Sequence, residues 1–266
     1  MKIIQPRRFA ENLTFVGLIA MGLASPAPAA PVAHAEAGSS WLQRVGVEVV
    51  VGSGKVQTEA REVSGFSAIA LQGSMKLVLR QGAREGVEVQ ADDNLLALIE
   101  TRVVDRGGVP TLEIGAKSGS SYSTRQEITV VVDLVTLQAL SVTGSGDATS
   151  ESLNTAKLNV AITGSGDVRL RRLGVDELSI KISGSGNVDV AGRTAKLGVV
   201  INGSGDVRAR DLDAQDVSIS IAGSGNAGVT ARKSLAVSIA GSGDVVYAGD
   251  ATVKSAIAGA GSVKKR

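Results

Sequence analysis

Cysteine is absent from the chain, and histidine occurs once, at His34. Without thiols there is no disulfide framework and no thiolate nucleophile. With one histidine near the N-terminus, Ser-His-Asp and Cys-His catalysis and the usual zinc sites are excluded from the rest of the chain. Aromatic residues make up only 2%. That argues against the stacking platforms on which proteins hold sugar rings or bases. A long apolar run is missing too. The stretch Leu13 to Leu23 is too short to favour a membrane span.

That stretch reads instead as the core of a secretory signal over residues 1–35. Lys2, Arg7 and Arg8 precede it, and the small-x-small sequence Ala33-His34-Ala35 follows, with Ala27-Pro28-Ala29 as an earlier alternative. The leader holds three of the 28 basic and one of the 26 acidic side chains, which leaves 25 of each beyond it. A neutral mature chain gives no electrostatic reason to bind nucleic acid. The expected location is exported: periplasm, outer membrane surface or extracellular.

What the chain has is a repeat. Gly144-Ser145-Gly146-Asp147 returns at Gly164, Gly184, Gly203, Gly223 and Gly241, and a decayed copy starts at Gly259. The spacings are 20, 20, 19, 20, 18 and 18 residues. Before each turn apolar residues alternate strictly, as in Leu178, Ile180 and Ile182; after it they alternate again, as in Val188 and Val190. Period two with β-branched residues is the strand signal. Glycine reaches φ > 0 without strain and Asp or Asn bonds nearby backbone, so the phrase between is a turn.

Two short strands per unit cannot bury a core alone, so successive units must stack. The expected fold is all-β: a parallel β-helix with coils of about 20 residues, rising about 4.8 Å per coil. A sandwich of hairpins is the rival, but hairpins do not require near-identical turns at constant spacing. The expected division is a signal peptide over 1–35, a lead-in or linker over 36–60, an N-terminal β section over 61–136 that caps the stack, and β-helix repeats over 137–266. Within the cap, strands are expected at Phe66 to Leu71, Met75 to Leu79, Val87 to Gln90, Leu112 to Ile114 and Ile128 to Val132. A short helical turn is expected after Asp92-Asp93-Asn94, and a mobile loop from Gly115 to Thr124.

Arg61-Glu62-Val63-Ser64-Gly65-Phe66-Ser67-Ala68-Ile69, then Gly73-Ser74-Met75-Lys76-Leu77, then Asp92-Asp93-Asn94-Leu95, and later Leu140-Ser141-Val142-Thr143-Gly144-Ser145-Gly146-Asp147 follow in order. Together they resemble the bacterial family of the putative auto-transporter adhesin, head GIN domain. The resemblance covers about residues 61–262 and implies an exported envelope protein with a β-helical body. It brings no catalytic residues. No segment resembling a membrane barrel follows the repeats, an expectation against self-export.

The residue after Gly-Ser-Gly forms a structural column: Asp147, Asp167, Asn187, Asp206, Asn226 and Asp244. Adjacent carboxylates at strand spacing repel, which calcium would relieve. Yet the calcium-binding Gly-Gly-x-Gly-x-Asp roll does not match, and the asparagines dilute the charge. The column is therefore read as structural turns, with no metal, cofactor or catalytic residue assigned. Arg169, Arg171, Arg172, Arg208 and Arg210 are expected on a mixed, solvated face. Thr143, Thr163, Ser183 and Asn202 mark a flat polar face able to dock a partner or glycan. The carboxylates Asp92, Asp93, Glu100 and Asp105 are available for a glycosidase, but nothing singles them out.

The functional expectation is a non-catalytic, adhesin-like or structural envelope protein, with an unknown protein or glycan ligand. The alternatives are a polysaccharide-acting β-helix enzyme and an envelope-stress or signalling component. Self-association is expected through the open sheet edge of the last coil, with Lys264, Lys265 and Arg266 placed there to discourage it.

Overall fold

A computed structural model describes residues 49–266; the signal expected over 1–35 and the part of the lead-in that holds Trp41 lie outside the described residues. The head contains β1 (Val49–Val51), β2 (Val56–Arg61), β3 (Ala68–Gly73), β4 (Lys76–Gln81), β5 (Gly86–Asp92), β6 (Ile99–Asp105), β7 (Pro110–Ala116), β8 (Ser121–Ser123) and β9 (Thr129–Leu134). The stack continues with β10 (Ala139–Gly144), β11 (Asp147–Ser150), β12 (Leu153–Gly164), β13 (Asp167–Gly184), β14 (Asn187–Gly203), β15 (Val207–Gly223) and β16 (Ala227–Gly241). It ends with β17 (Asp244–Ala248), β18 (Thr252–Gly259) and β19 (Ser262–Lys265). The fold is a parallel β-helix with a β-rich N-terminal cap.

Parallel pairing runs coil on coil. Leu158 lies against Leu178, Leu178 against Leu197, Leu197 against Val217 and Val217 against Leu235. Every alternating apolar residue named above is buried. The cross-section differs from the sequence expectation in one respect. Between the two inward runs lies a third, Leu173 and Val175 in the coil of β13, or Leu212 and Ala214 in that of β15. In β13 the pairs Arg171-Arg172 and Asp176-Glu177 are consecutive exposed residues, which breaks alternation and turns the chain. The coil is therefore three-sided. Face A carries Leu178 to Ile182, face B follows the Gly-Ser-Gly turn with Val168 and Leu170, and face C carries Leu173 and Val175.

The variable spacing is absorbed at the corner between B and C and, where β15 meets β16, also after Ala214 at the corner between C and A. Two residues separate Leu170 from Leu173, but Ala191 alone separates Val190 from Gly192, where the ladder shifts register. This corner also holds Arg172, at φ 44° the one non-glycine residue of positive φ among those described. The Gly-Ser-Gly turn itself stays in register through every coil.

The head does not follow chain order. β3 and β4 form a coil directly beneath β10 and β11, and β7 and β9 run parallel beneath β3 and β4. The first stacked turn is thus Gly73-Ser74-Met75-Lys76, in register with Gly144 to Asp147. Met75 is tolerated where later coils need glycine because no like turn lies beneath it. A Cβ on Gly146, by contrast, would stand 2.7 Å from the Met75 carbonyl oxygen.

Antiparallel strands close this end: β5 on β9, β2 on β5, and β6 on β7. Two expectations change here. The turn after Asp92-Asp93-Asn94 is a 3-10 turn, Leu96–Leu98, with no side-chain cap. The segment Gly115 to Thr124 is not all loop, because β8 pairs with β1 and Tyr122 packs half-buried against the core. The lead-in is tied to this end as well: the Ser53 amide and hydroxyl and the Gly54 amide bond Asn94, Asp93 and Asp92.

Candidate binding surfaces

The six column residues lie on one edge of face B, and the hydrogen bonds between them are directional. The Asp167 amide donates to Asp147 Oδ1 at 3.1 Å, and the Asn187 amide donates to Asp167 Oδ1 at 3.1 Å. The Asp206, Asn226 and Asp244 amides do the same to the residue below. Each side-chain oxygen thus satisfies an N–H of the next coil that the turn would leave without a partner.

The asparagines add a second bond. Asn187 Nδ2 donates to Asp167 Oδ1 at 2.9 Å, and Asn226 Nδ2 to Asp206 Oδ1 at 3.0 Å. From Asp167 upward, Asp and Asn alternate, so no two carboxylates are adjacent. At the top the Ser262 hydroxyl donates to Asp244 Oδ1; that bond, helped by Lys264, holds Asp244 below the usual carboxylate range. Among the described residues no group of three or more His, Cys, Asp or Glu side chains is placed to hold a metal ion.

Replacing Asn187 by aspartate tests this arrangement. Four carboxylates, at 147, 167, 187 and 206, would then be successive neighbours at about 4.8 Å, and one charge-assisted hydrogen bond would be lost. The expected cost is about 1–2 kcal/mol at neutral pH. Salt screens the repulsion, so the deficit should shrink in high salt. Melting curves that are equal at pH 7 would show that alternation contributes nothing.

The five arginines do not form one basic face. Arg169 and Arg208 lie on face B; Arg169 donates a hydrogen bond to Asp167 at 3.1 Å, Arg208 forms a looser ion pair with Asp206 at 3.7 Å, and the two flank Asp189 in register. Arg171, Arg172 and Arg210 stand at the B–C corner. Above Arg208 the row changes to Gly228 and then Val246, which opens a cleft of about 580 Å³. Arg210 folds into it, and a Cβ on Gly228 would lie 2.8 Å from Arg210 Nε. Asp189, Asp211 and Asp244 also line the cleft, so its charge is mixed.

The acidic residues of the head hold its loops. The buried Asp92 carboxylate accepts the Gly54 amide at 3.0 Å and the Thr124 hydroxyl. Asp93 accepts the Ser53 hydroxyl, which draws it below the usual range, and Asp105 accepts the Gly108 amide at 2.9 Å. Glu113, unnoticed in the sequence, is held low by hydrogen bonds from Arg106 and then Arg102, and so ties β6 to β7.

Face A presents mostly small side chains in unbroken register. Its outward rows run Ser179, Gly198, Ser218, Ala236; Lys181, Val200, Ser220, Ser238; and Ser183, Asn202, Ala222, Ala240. Side chains of three heavy atoms or fewer predominate, and Lys181 and Asn202 are the larger exceptions.

The model of the family described as putative auto-transporter adhesin, head GIN domain, matches residues 65–251. The chain belongs to this family. Solved structures share the fold of this chain. A putative adhesin from Bacteroides fragilis is 24% identical, with a TM-score of 0.74 over 82% of this chain and 100% of its own. A putative lipid binding protein and a putative adhesin, both from Parabacteroides distasonis, are 26% and 25% identical, with TM-scores of 0.69 and 0.65 over the same shares. No curated protein matches the sequence. No helix among the described residues is long and apolar enough to cross a membrane.

Proposed function

We propose that this head GIN protein is an exported, non-catalytic binding module of the cell envelope, which holds a glycan or protein ligand on face A. The observation that carries the reading is the face itself: successive coils in unbroken register present short side chains on a rigid sheet. Such a surface meets an extended polymer or a flat partner without ordering long side chains, which keeps the entropic cost of contact low. Membership of a putative adhesin family supports an envelope role.

The test uses protein recovered from the envelope fraction, whose first residue is expected to be Glu36 after cleavage behind Ala35. It is incubated with acidic and neutral polysaccharides, and both retention and bond cleavage are followed. Retention without cleavage is expected, falling at least tenfold in Ser220→Arg/Ser238→Arg, where two long charged side chains stand on the face. Turnover that disappears when a carboxylate is replaced would overturn the reading. Intact Met1 in the cytosol would remove its export half.

A further inference from the structure

We infer that two copies of the chain associate tail to tail, through the free edge of β18, about a twofold axis that passes by Ser255. β18 pairs with β16 on one side, and β19 with β17 on one side; their other edges carry no partner among the described residues. The inward positions of this last coil are Val253, Ser255 and Ile257, in register with Leu235, Val237 and Ile239. Ile257 is 43% exposed where Ile239 is 1% exposed. The apolar interior is thus open at this end.

The opposite end does not match it. There the outermost strands, β2 and β6, are antiparallel and carry Glu59, Arg61, Glu100, Arg102 and Asp105. Charged edge strands resist further pairing. β18 carries one charge in eight residues, Lys254. A head-to-tail contact would set a poorly matched edge on β18, whereas a second β18 offers the same apolar edge.

Pairing β18 with its own copy is antiparallel, and the register follows from the side chains. Inward residues must face inward residues, because a slip of one turns every side chain over. Centred on Ser255, the arrangement sets Val253 against Ile257 twice and Lys254 against Ala256. Centring on residue 254 would place Lys254 against its own copy. Centring on Ala256 would set Val253 against Gly259 and lose both apolar pairs. A twofold contact also closes on itself and stops at two copies. Lys264, Lys265 and Arg266 of both copies come near one another, so salt should tighten the association.

The absence of cysteine gives a clean test in the full chain. Ser255→Cys places two thiols opposite each other on the axis, within reach of a disulfide. Under mild oxidation it should cross-link to a dimer, whereas Ser118→Cys, on an exposed loop of the head, should not. Sedimentation of the wild type should show a monomer–dimer equilibrium that tightens several-fold in 0.5 M salt. Ile257→Lys should weaken it at least tenfold with the melting curve unchanged. Equal cross-linking at 255 and 118, a monomer at every concentration, or growth beyond two copies would each overturn the inference.

Discussion

Replacing Ile180 by aspartate is expected to abolish the cooperative fold. Ile180 is fully buried, with Val160 beneath it and Val199 above it in the same inward row. The three-sided interior is narrow, so a carboxylate there reaches neither water nor a cation. An unpaired buried charge costs several kcal/mol, and the lost isoleucine burial adds about 2–4. Their sum rivals the whole stability of an ordinary domain. Ile180→Val in the same position should cost about 1 kcal/mol and keep the fold. Circular dichroism and thermal melting separate the two; an aspartate variant that melts like the wild type would refute the inward placement.

The second large effect is expected at the turn. Gly184 has φ 132°, where a side chain is strained, and a Cβ there would lie 2.3 Å from the Gly164 carbonyl oxygen. Strain of about 1–3 kcal/mol is joined by a contact that only separation of the coils can relieve. Gly184→Ala should therefore destabilise by about 3 kcal/mol or more. Gly198 supplies the control. It lies on face A without positive φ, and its Cβ would meet nothing nearer than the Leu178 oxygen at 4.0 Å. Gly198→Ala should be neutral or slightly stabilising. Equal melting shifts in the two variants would show that the turn glycines matter only as strand breakers.

The residues that made the stack legible are those that repeat. Ile162, Ile182, Ile201, Ile221 and Ile239 announce face A because its length never varies. Face C was hidden, since the corner before it has two residues at Arg171-Arg172 and one at Ala191, and the period slips there. Thr194 adds to the concealment: it is buried among apolar rows, its hydroxyl bonded to the Asp176 and Lys196 carbonyls at 3.3 and 3.0 Å. In the head, β2 reads Val-Gln-Thr-Glu-Ala-Arg and is almost wholly exposed, so no alternation marks it as a strand. The Asx column could be named from sequence, but its bonding could not. Which oxygen accepts which amide depends on the direction in which coils are laid down.

The head's departure from chain order bears on how the molecule is made. Ala139 pairs with Ala68, seventy-one positions earlier, whereas Leu178 pairs with Leu197, nineteen positions later. Closing the longer loop costs about 1 kcal/mol more in chain entropy, and this happens once. Every later coil closes a loop of nearly constant size onto an edge already in place. A chain delivered N-terminus first would complete residues 68–134 as a template and then wind each coil onto it as that coil emerged. Delivered in the other direction, the repeats would emerge with no finished edge to receive them and their apolar rows bare.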